Sequence, residues 1–359
     1  MGDDAECEFA RYGEDARTAG GDGGPATGRR RASLWTSDGV RIEAAYDPYE
    51  GGGRGRGARS TVRAPGAIVL AHGFSGSVDR PALRRAVGVF TQYGAVITFS
   101  FRGHGRSGGH STVGDLEVLD LAAAVRWARS LGHARVATVG FSMGGSVVVR
   151  HGALRRPHGT SGTAGMHEGR TGAQARTGRP GGAASGNGAS GNGASGSGSS
   201  GPESDAGGDS GPGAEGGGPS GEHSDAVVAV SAPARWYYRG TAPMRRLHWV
   251  IQRPVGRLVS RYGLRTRIHP RDWDPVPLSP VGAAPLLAPT PLLVVHGDQD
   301  PYFPEDHPRS LAAAGDPEHT ELWLVEGFGH AENAADAALL HRIGGWVRAR
   351  WSGPGRRPA

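Results

Sequence analysis

The stretch VATVGFSMGGSVVVR, Val136 to Arg150, sets one serine among glycines, with an apolar β-branched run on either side. Gly140-Phe141-Ser142-Met143-Gly144 fits the pattern G-x-S-x-G, a strand-to-helix turn that lifts a serine hydroxyl clear of the backbone. Small residues are needed there because the turn brings backbone against backbone, and the helix that follows points its positive end at the serine. In a chain with 63 glycines the same pentapeptide also arises as a packing turn. Its position between a strand pattern and a helix pattern favours a nucleophile. A serine hydroxyl is weak until a base takes its proton, so Ser142 requires a histidine, and that histidine an acid to orient it.

His330 stands at the end of the last expected strand and the start of the final helix, where a base is wanted; a helix-capping role is the structural alternative. His72 precedes the nucleophile, His151 lies on the helix after it, and His296 precedes the acid turn, so they fit less well. Asp300 and Asp298 both stand in HGDQDPYFP, and Asp300 is preferred as the orienting acid, with Asp298 shaping the turn. Asp272 and Asp274 lie in a Pro-rich segment before the penultimate strand and are weaker choices. Ser142, Asp300 and His330 occur in the chain order Ser…Asp…His. Acyl transfer also develops an oxyanion, which needs donors aimed in advance. The backbone N–H of Met143 and that of Phe74, in the loop after His72-Gly73, are the candidates. His72 itself is expected to brace that loop.

These residues must be held by a scaffold, and the chain reads as strands alternating with helices. Ala32–Trp35 and Val40–Tyr46 flank the turn SDG as a hairpin. Ala67–Ala71, Ala95–Phe101, Val136–Phe141, Ala226–Ser231, Leu292–Val295 and Glu321–Val325 read as strands. Arg80–Tyr93, Gly114–Leu131, Met143–Ala153, Glu305–Ala314 and Ala331–Arg350 read as helices. Such alternation implies a mainly parallel α/β sheet with helices on both faces. The polar motifs fall at the carboxyl ends of its strands, where such sheets bind ligands.

Two segments do not belong to that pattern. Residues 1–31 are polar and aperiodic and read as a tail. Residues 157–222, including GNGASGNGASGSGSSG, are nearly free of large apolar side chains and cannot offset the entropy of ordering, so a disordered insert is expected. Without it, 32–155 and 222–351 have the combined length of one α/β domain. All 40 basic residues are arginine, a bias that weakens any inference from the net charge of +6. No basic stripe with interleaved aromatics is present, so no nucleic-acid partner is expected. Cys7 is the one cysteine and requires no oxidising compartment. The acidic N-terminus lacks an apolar h-region and no window is long enough to span a bilayer, so a cytoplasmic location is expected.

HGFSGS, FRGHGRSGG, GFSMGG, HGDQDPYFP and GFGHAE, in this order, resemble the α/β-hydrolase fold superfamily. The likeness is to bacterial esterase, monoacylglycerol-lipase-like and serine-aminopeptidase-like members, and it covers about 66–155 and 222–350. It implies an ester- or amide-cleaving enzyme with Ser142, Asp300 and His330 as triad, no cofactor and a small acyl substrate. Thioesters and peptides are alternatives on the same triad, and a non-catalytic binding protein is the alternative outside enzymes. Serine at 142 argues against epoxide hydrolases and dehalogenases. A cap is expected at about 232–290, where Trp236, Tyr237 and Trp249 either wall an acyl pocket or pack a short helix on the core. Arg245, Arg246, Arg253 and Arg257 read as a solvated face or as partners for an anionic substrate end. Oligomeric state is not readable.

Overall fold

Short runs of β-branched and small apolar residues make the centre of the sheet, because such runs fit a pleated surface covered on both sides. The computed structural model describes residues 28–51, 64–156 and 221–352. Its strands are β1 (Arg30–Trp35), β2 (Arg41–Asp47), β3 (Ala67–Ala71), β4 (Ala95–Phe99), β5 (Val136–Phe141), β6 (Ala226–Val230), β7 (Leu292–Gly297) and β8 (Thr320–Val325). They form one sheet in the order β1-β2-β4-β3-β5-β6-β7-β8. β1 and β2 pair antiparallel, as do β2 and β4, and every later pairing is parallel.

The pleat divides each central run between two cores. Ile68, Leu70, Val96, Val139, Val228 and Leu293 point to one side. There they meet Leu83, Val87 and Phe90 of α1 (Pro81–Phe90) and Leu340, Ile343 and Val347 of α9 (Ala337–Ser352). Val69, Ile97, Val227 and Val294 point to the other side. Their partners are Leu121 and Val125 of α2 (Glu117–Ser130) and Val147 and Val148 of α3 (Met143–Leu154). Each such side chain, once buried, contributes about 1.5–3 kcal/mol. Between β6 and β7 run α4 (Ala242–Gln252), α5 (Pro254–Gly263) and α6 (Pro280–Ala283); α7 (Asp306–Ala314) follows β7, and α8 (Ala331–Ala334) precedes α9.

Several sequence readings are corrected. Arg30 and Arg31, read as tail, belong to β1, where Arg31 holds Glu43 at 2.7 Å. β4 stops at Phe99 instead of Phe101, because the amide of Phe101 leaves the ladder and donates to His72 Nε2 at 3.0 Å. The final helix is broken at Ala335 and restarts where Asp336 Oδ1 accepts the Leu339 amide at 2.7 Å, a side-chain cap. The cap holds two helices of ten or eleven residues, α4 and α5, where a single short helix was one of the two readings. Each begins with a proline in its first turn, where the missing N–H costs nothing.

The fold divides into two units, Met1–Gly159 with Pro219–Ala359, and Thr160–Gly218. The second unit lies outside the described residues, as do Cys7 and the expected tail up to residue 27. Glu222, assigned from sequence to the end of the insert, is buried at 3% exposure and pairs with Arg126 and, at 3.1 Å, with Arg155. Arg155 sits just before the segment begins, so this ion pair joins its entry to its exit.

Candidate active site

The backbone at Ser142 has φ 51 and ψ −115, a left-handed setting that costs a non-glycine residue about 1–3 kcal/mol. The neighbouring glycines allow it. A methyl on Gly140 would strike the Gly144 carbonyl, and one on Gly144 would strike that of Ala71. The turn is pinned further by the Ser142 amide, which donates to Val230 O at 2.9 Å. The hydroxyl is thereby raised over the carboxyl edge of the sheet, between β5 and the start of α3.

Ser142, His330 and Asp300 meet in one chain of hydrogen bonds. His330 Nε2 lies 2.9 Å from Ser142 Oγ, and His330 Nδ1 lies 2.7 Å from Asp300 Oδ2. The second carboxylate oxygen of Asp300 accepts the amides of Tyr302 at 2.8 Å and Phe303 at 3.2 Å. Burial works to raise the Asp300 carboxyl, but the hydrogen bond from His330 and the Tyr302 amide outweigh it and hold it below its ordinary value. The Tyr302 ring lies 4.3 Å from the imidazole at 32°, so it covers one face of His330. Asp298 takes the other place foreseen for it, accepting the Gly327 amide at 2.7 Å in the turn before His330.

The remaining histidines are occupied elsewhere. His72 donates from Nδ1 to Gly73 O at 2.7 Å and accepts the Phe101 amide on Nε2. His104 Nε2 reaches Phe74 O at 2.5 Å. Together they fix the loop whose Phe74 amide is the proposed oxyanion donor. His296 donates to Phe303 O at 2.8 Å, and His151 is buried in α3. Met143 is the first residue of α3, so its amide has no partner within the helix and faces outward at the N-terminus.

One residue of the site has no role assigned from sequence, although it closes the motif GFGHAE. Glu332 is 7% exposed, and its Oε1 accepts the Gly73 amide at 3.1 Å. Ala331, at φ 53, donates its amide to Ser231 Oγ at 3.1 Å. The segment that carries His330 is thus tied both to the end of β6 and to the loop beside Phe74. The available sequence signal was spacing alone: a carboxylate two residues after His330.

The cap residues separate into three settings. Tyr237, with Val113, His248, Ile251, Arg257, Asp272 and Trp273, lines a cavity of about 80 Å³. Trp236 anchors the cap, donating to Pro277 O at 2.8 Å and packing 5.1 Å from the Trp273 ring. Trp249 is 49% exposed on the outer side of α4. Asp274 is exposed. Among the described residues no group of three or more His, Cys, Asp or Glu side chains could hold a metal ion, and no helix is long and apolar enough to cross a membrane.

Residues 66–158 match the family described as alpha/beta hydrolase fold. No curated protein matches this chain. The Pyrococcus furiosus esterase Pf2001 superposes with a TM-score of 0.55 at 18% identity, covering 93% of this chain and 98% of that one. The alpha/beta hydrolase GrgF from Penicillium sp. sh18 gives 0.54 at 14% identity, with 90% and 99% covered. DcsB in complex with its substrate analogue gives 0.53 at 14%, also with 90% and 99% covered. Sheet order, elbow and family match agree: the chain has the α/β-hydrolase fold.

Proposed function

We propose that this chain is a serine hydrolase that cleaves small or medium acyl esters through an acyl-enzyme on Ser142. The observation that carries the reading is the unbroken hydrogen-bond chain from Ser142 Oγ through His330 to a fully buried Asp300. Ser142 Oγ attacks the ester carbonyl while His330 Nε2 takes its proton. The oxyanion meets the amides of Phe74 and Met143. His330 then protonates the departing alkoxide, and the same imidazole draws a proton from the water that releases the acid. Asp300 holds the Nδ1–H tautomer and stabilises the imidazolium at each stage. The step needs no cofactor.

A panel of p-nitrophenyl esters, acyl thioesters and aminoacyl amides tests the reading. Esters should turn over fastest. Preference for thioesters or amides by about tenfold or more overturns the substrate class, and no turnover of any overturns the assignment. Asp272, the acid considered for holding a free amine, lies in a cap cavity with Arg257 and Arg271 that is lined by none of Ser142, Asp300 and His330, so it lends a peptidase no support.

Glu332 enters as a positioning residue. Glu332→Ala removes the acceptor of the Gly73 amide and should lower kcat about tenfold to a hundredfold with little change in KM. Glu332→Gln keeps an acceptor oxygen and should recover most of the rate. Steady-state kinetics on one ester decides it; equal kcat in wild type and Glu332→Ala rules the role out.

A further inference from the structure

Helix α5 turns an apolar face outward. Val255, Leu258, Val259 and Tyr262 are 61%, 55%, 50% and 75% exposed. Their spacing of i, i+3, i+4 and i+7 sets them on one stripe of the helix. The packed face is made instead of Gly256 and Ser260. A side chain at Gly256 would collide with the backbone of Trp249 and Val250, so α4 occupies that side. On α4, the exposed Trp249 shares a face with the exposed Arg245 and Arg246, four and three residues before it.

The charge around this stripe is predominantly positive, with Asp272, which shares a cavity with Arg257 of α5, as the exception. From Ala226 to Arg271 the sequence holds ten arginines and no aspartate or glutamate. Among the described residues, Arg235 alone of the ten pairs with a carboxylate, that of Asp306. Arg245, Arg246, Arg253, Arg261 and Arg265 are exposed on or next to the two helices. Single exposed apolar residues are ordinary, but a helical stripe beside a half-exposed tryptophan is an interaction surface. A second copy of the chain would set one arginine cluster against another, which opposes self-association through this face. Apolar and aromatic side chains rimmed by unpaired arginines are the composition of a helix lying in a lipid headgroup layer.

We propose that α4 and α5 form an interfacial docking face for an anionic phospholipid surface. Val255, Leu258, Val259, Tyr262 and Trp249 enter the boundary between headgroups and acyl chains. The flanking arginines meet lipid phosphates, each adding to the attraction within a Debye length of the surface. The proposal is independent of the esterase reading, because its readout is binding.

Co-sedimentation of the full chain with extruded vesicles tests it. Vesicles of phosphatidylcholine with about 30% phosphatidylglycerol should bind the protein at least about tenfold better than phosphatidylcholine alone, and raising the salt should weaken that binding. The double variant Leu258→Glu/Val259→Glu should lose about tenfold or more of the binding. Both side chains are solvent-facing, so its melting temperature and its hydrolysis of a water-soluble ester should match wild type. Failure of the wild type to bind anionic vesicles overturns the proposal. So does binding that the double variant retains, which would place the contact elsewhere. Dimerisation abolished by the variant, without vesicle binding, would assign the face to a second copy instead.

Discussion

Replacing Ser142 by alanine should lower kcat for a p-nitrophenyl ester about 10⁴- to 10⁶-fold while leaving the fold intact. The substitution removes one oxygen atom from a residue whose backbone is already held by the Val230 carbonyl and by the glycines around it. His330, Asp300 and the proposed oxyanion amides stay in place, so a small residual rate over water is expected. A fluorophosphonate probe should label wild type at Ser142 and leave the variant unlabelled, read by peptide mapping. Asp300→Asn keeps the shape but offers an amide where His330 Nδ1 needs an acceptor, and should lower kcat about 10³- to 10⁴-fold. Equal turnover by wild type and Ser142→Ala, or labelling of another residue, would mean that a different group attacks.

How the proposed nucleophile could be read from sequence, and Glu332 could not, follows from what each position must satisfy. Ser142 is announced by local constraints: glycines that no side chain could replace, a β-branched run before and a helix after. His330 and Asp300 are announced by topology, since each lies in the loop that follows one of two neighbouring parallel strands, β8 and β7, at the same edge of the sheet. Glu332 acts through a partner 259 residues away in the chain, the Gly73 amide, and no local pattern reports such a contact. The central strands were equally plain, because runs such as AIVLA bury both faces and are almost wholly apolar, Thr98 and Thr138 being the polar residues buried in β4 and β5. Boundaries failed where a side chain intervened, as with His72 at the end of β4 and Asp336 at the start of α9. The cap misleads for a different reason. Apolar spacing on a helix is ordinarily taken as its buried face, yet in α5 the small residues Gly256 and Ser260 are buried and the large ones are not. Close helix approach selects small residues, which periodicity of hydrophobicity does not register. Trp249, read either as a wall for an acyl chain or as part of a short helix packed on the core, is 49% exposed on α4, where Met244 is the buried residue.

Stability should fall steeply between pH 6.5 and 5, earlier than carboxylate titration alone would cause. Three buried histidines are held neutral by their surroundings. Burial pushes His72 and His151 down to about 3 and His307 down to about 4. For two of them the hydrogen bonds demand the neutral ring, since His72 Nε2 accepts the Phe101 amide and His307 Nδ1 accepts the Ala234 amide. Among the described residues neither ring nitrogen of His151 has a partner. In the unfolded chain all three titrate near the ordinary value of 6.5. As pH drops below that value the unfolded state takes up protons that the folded state refuses, so stability rises with pH across this window. At pH 5 the cost is about 2 kcal/mol for each histidine and about 6 kcal/mol for the three; burial also pushes the Asp120 carboxyl up to about 7, so the folded state takes up a proton there and offsets about 2.5 kcal/mol, leaving a net loss of about 3.5 kcal/mol. His104 is left out of this sum, because its ring nitrogens face the carbonyls of Arg102 and Phe74, which favour a proton against the effect of burial. Asp38, Asp79 and Asp300 are held below the ordinary carboxylate value of 3.8, so their stabilising charge is lost only further down the scale. Urea midpoints at pH 7.5 and pH 5 measure the effect, and equal midpoints would refute it. His151→Leu separates the contribution of one group. It removes two unsatisfied nitrogens from the interior and should raise stability at pH 7.5 by about 1–3 kcal/mol. The same variant should lose about one proton of pH dependence between pH 6.5 and 5, because leucine has nothing to titrate.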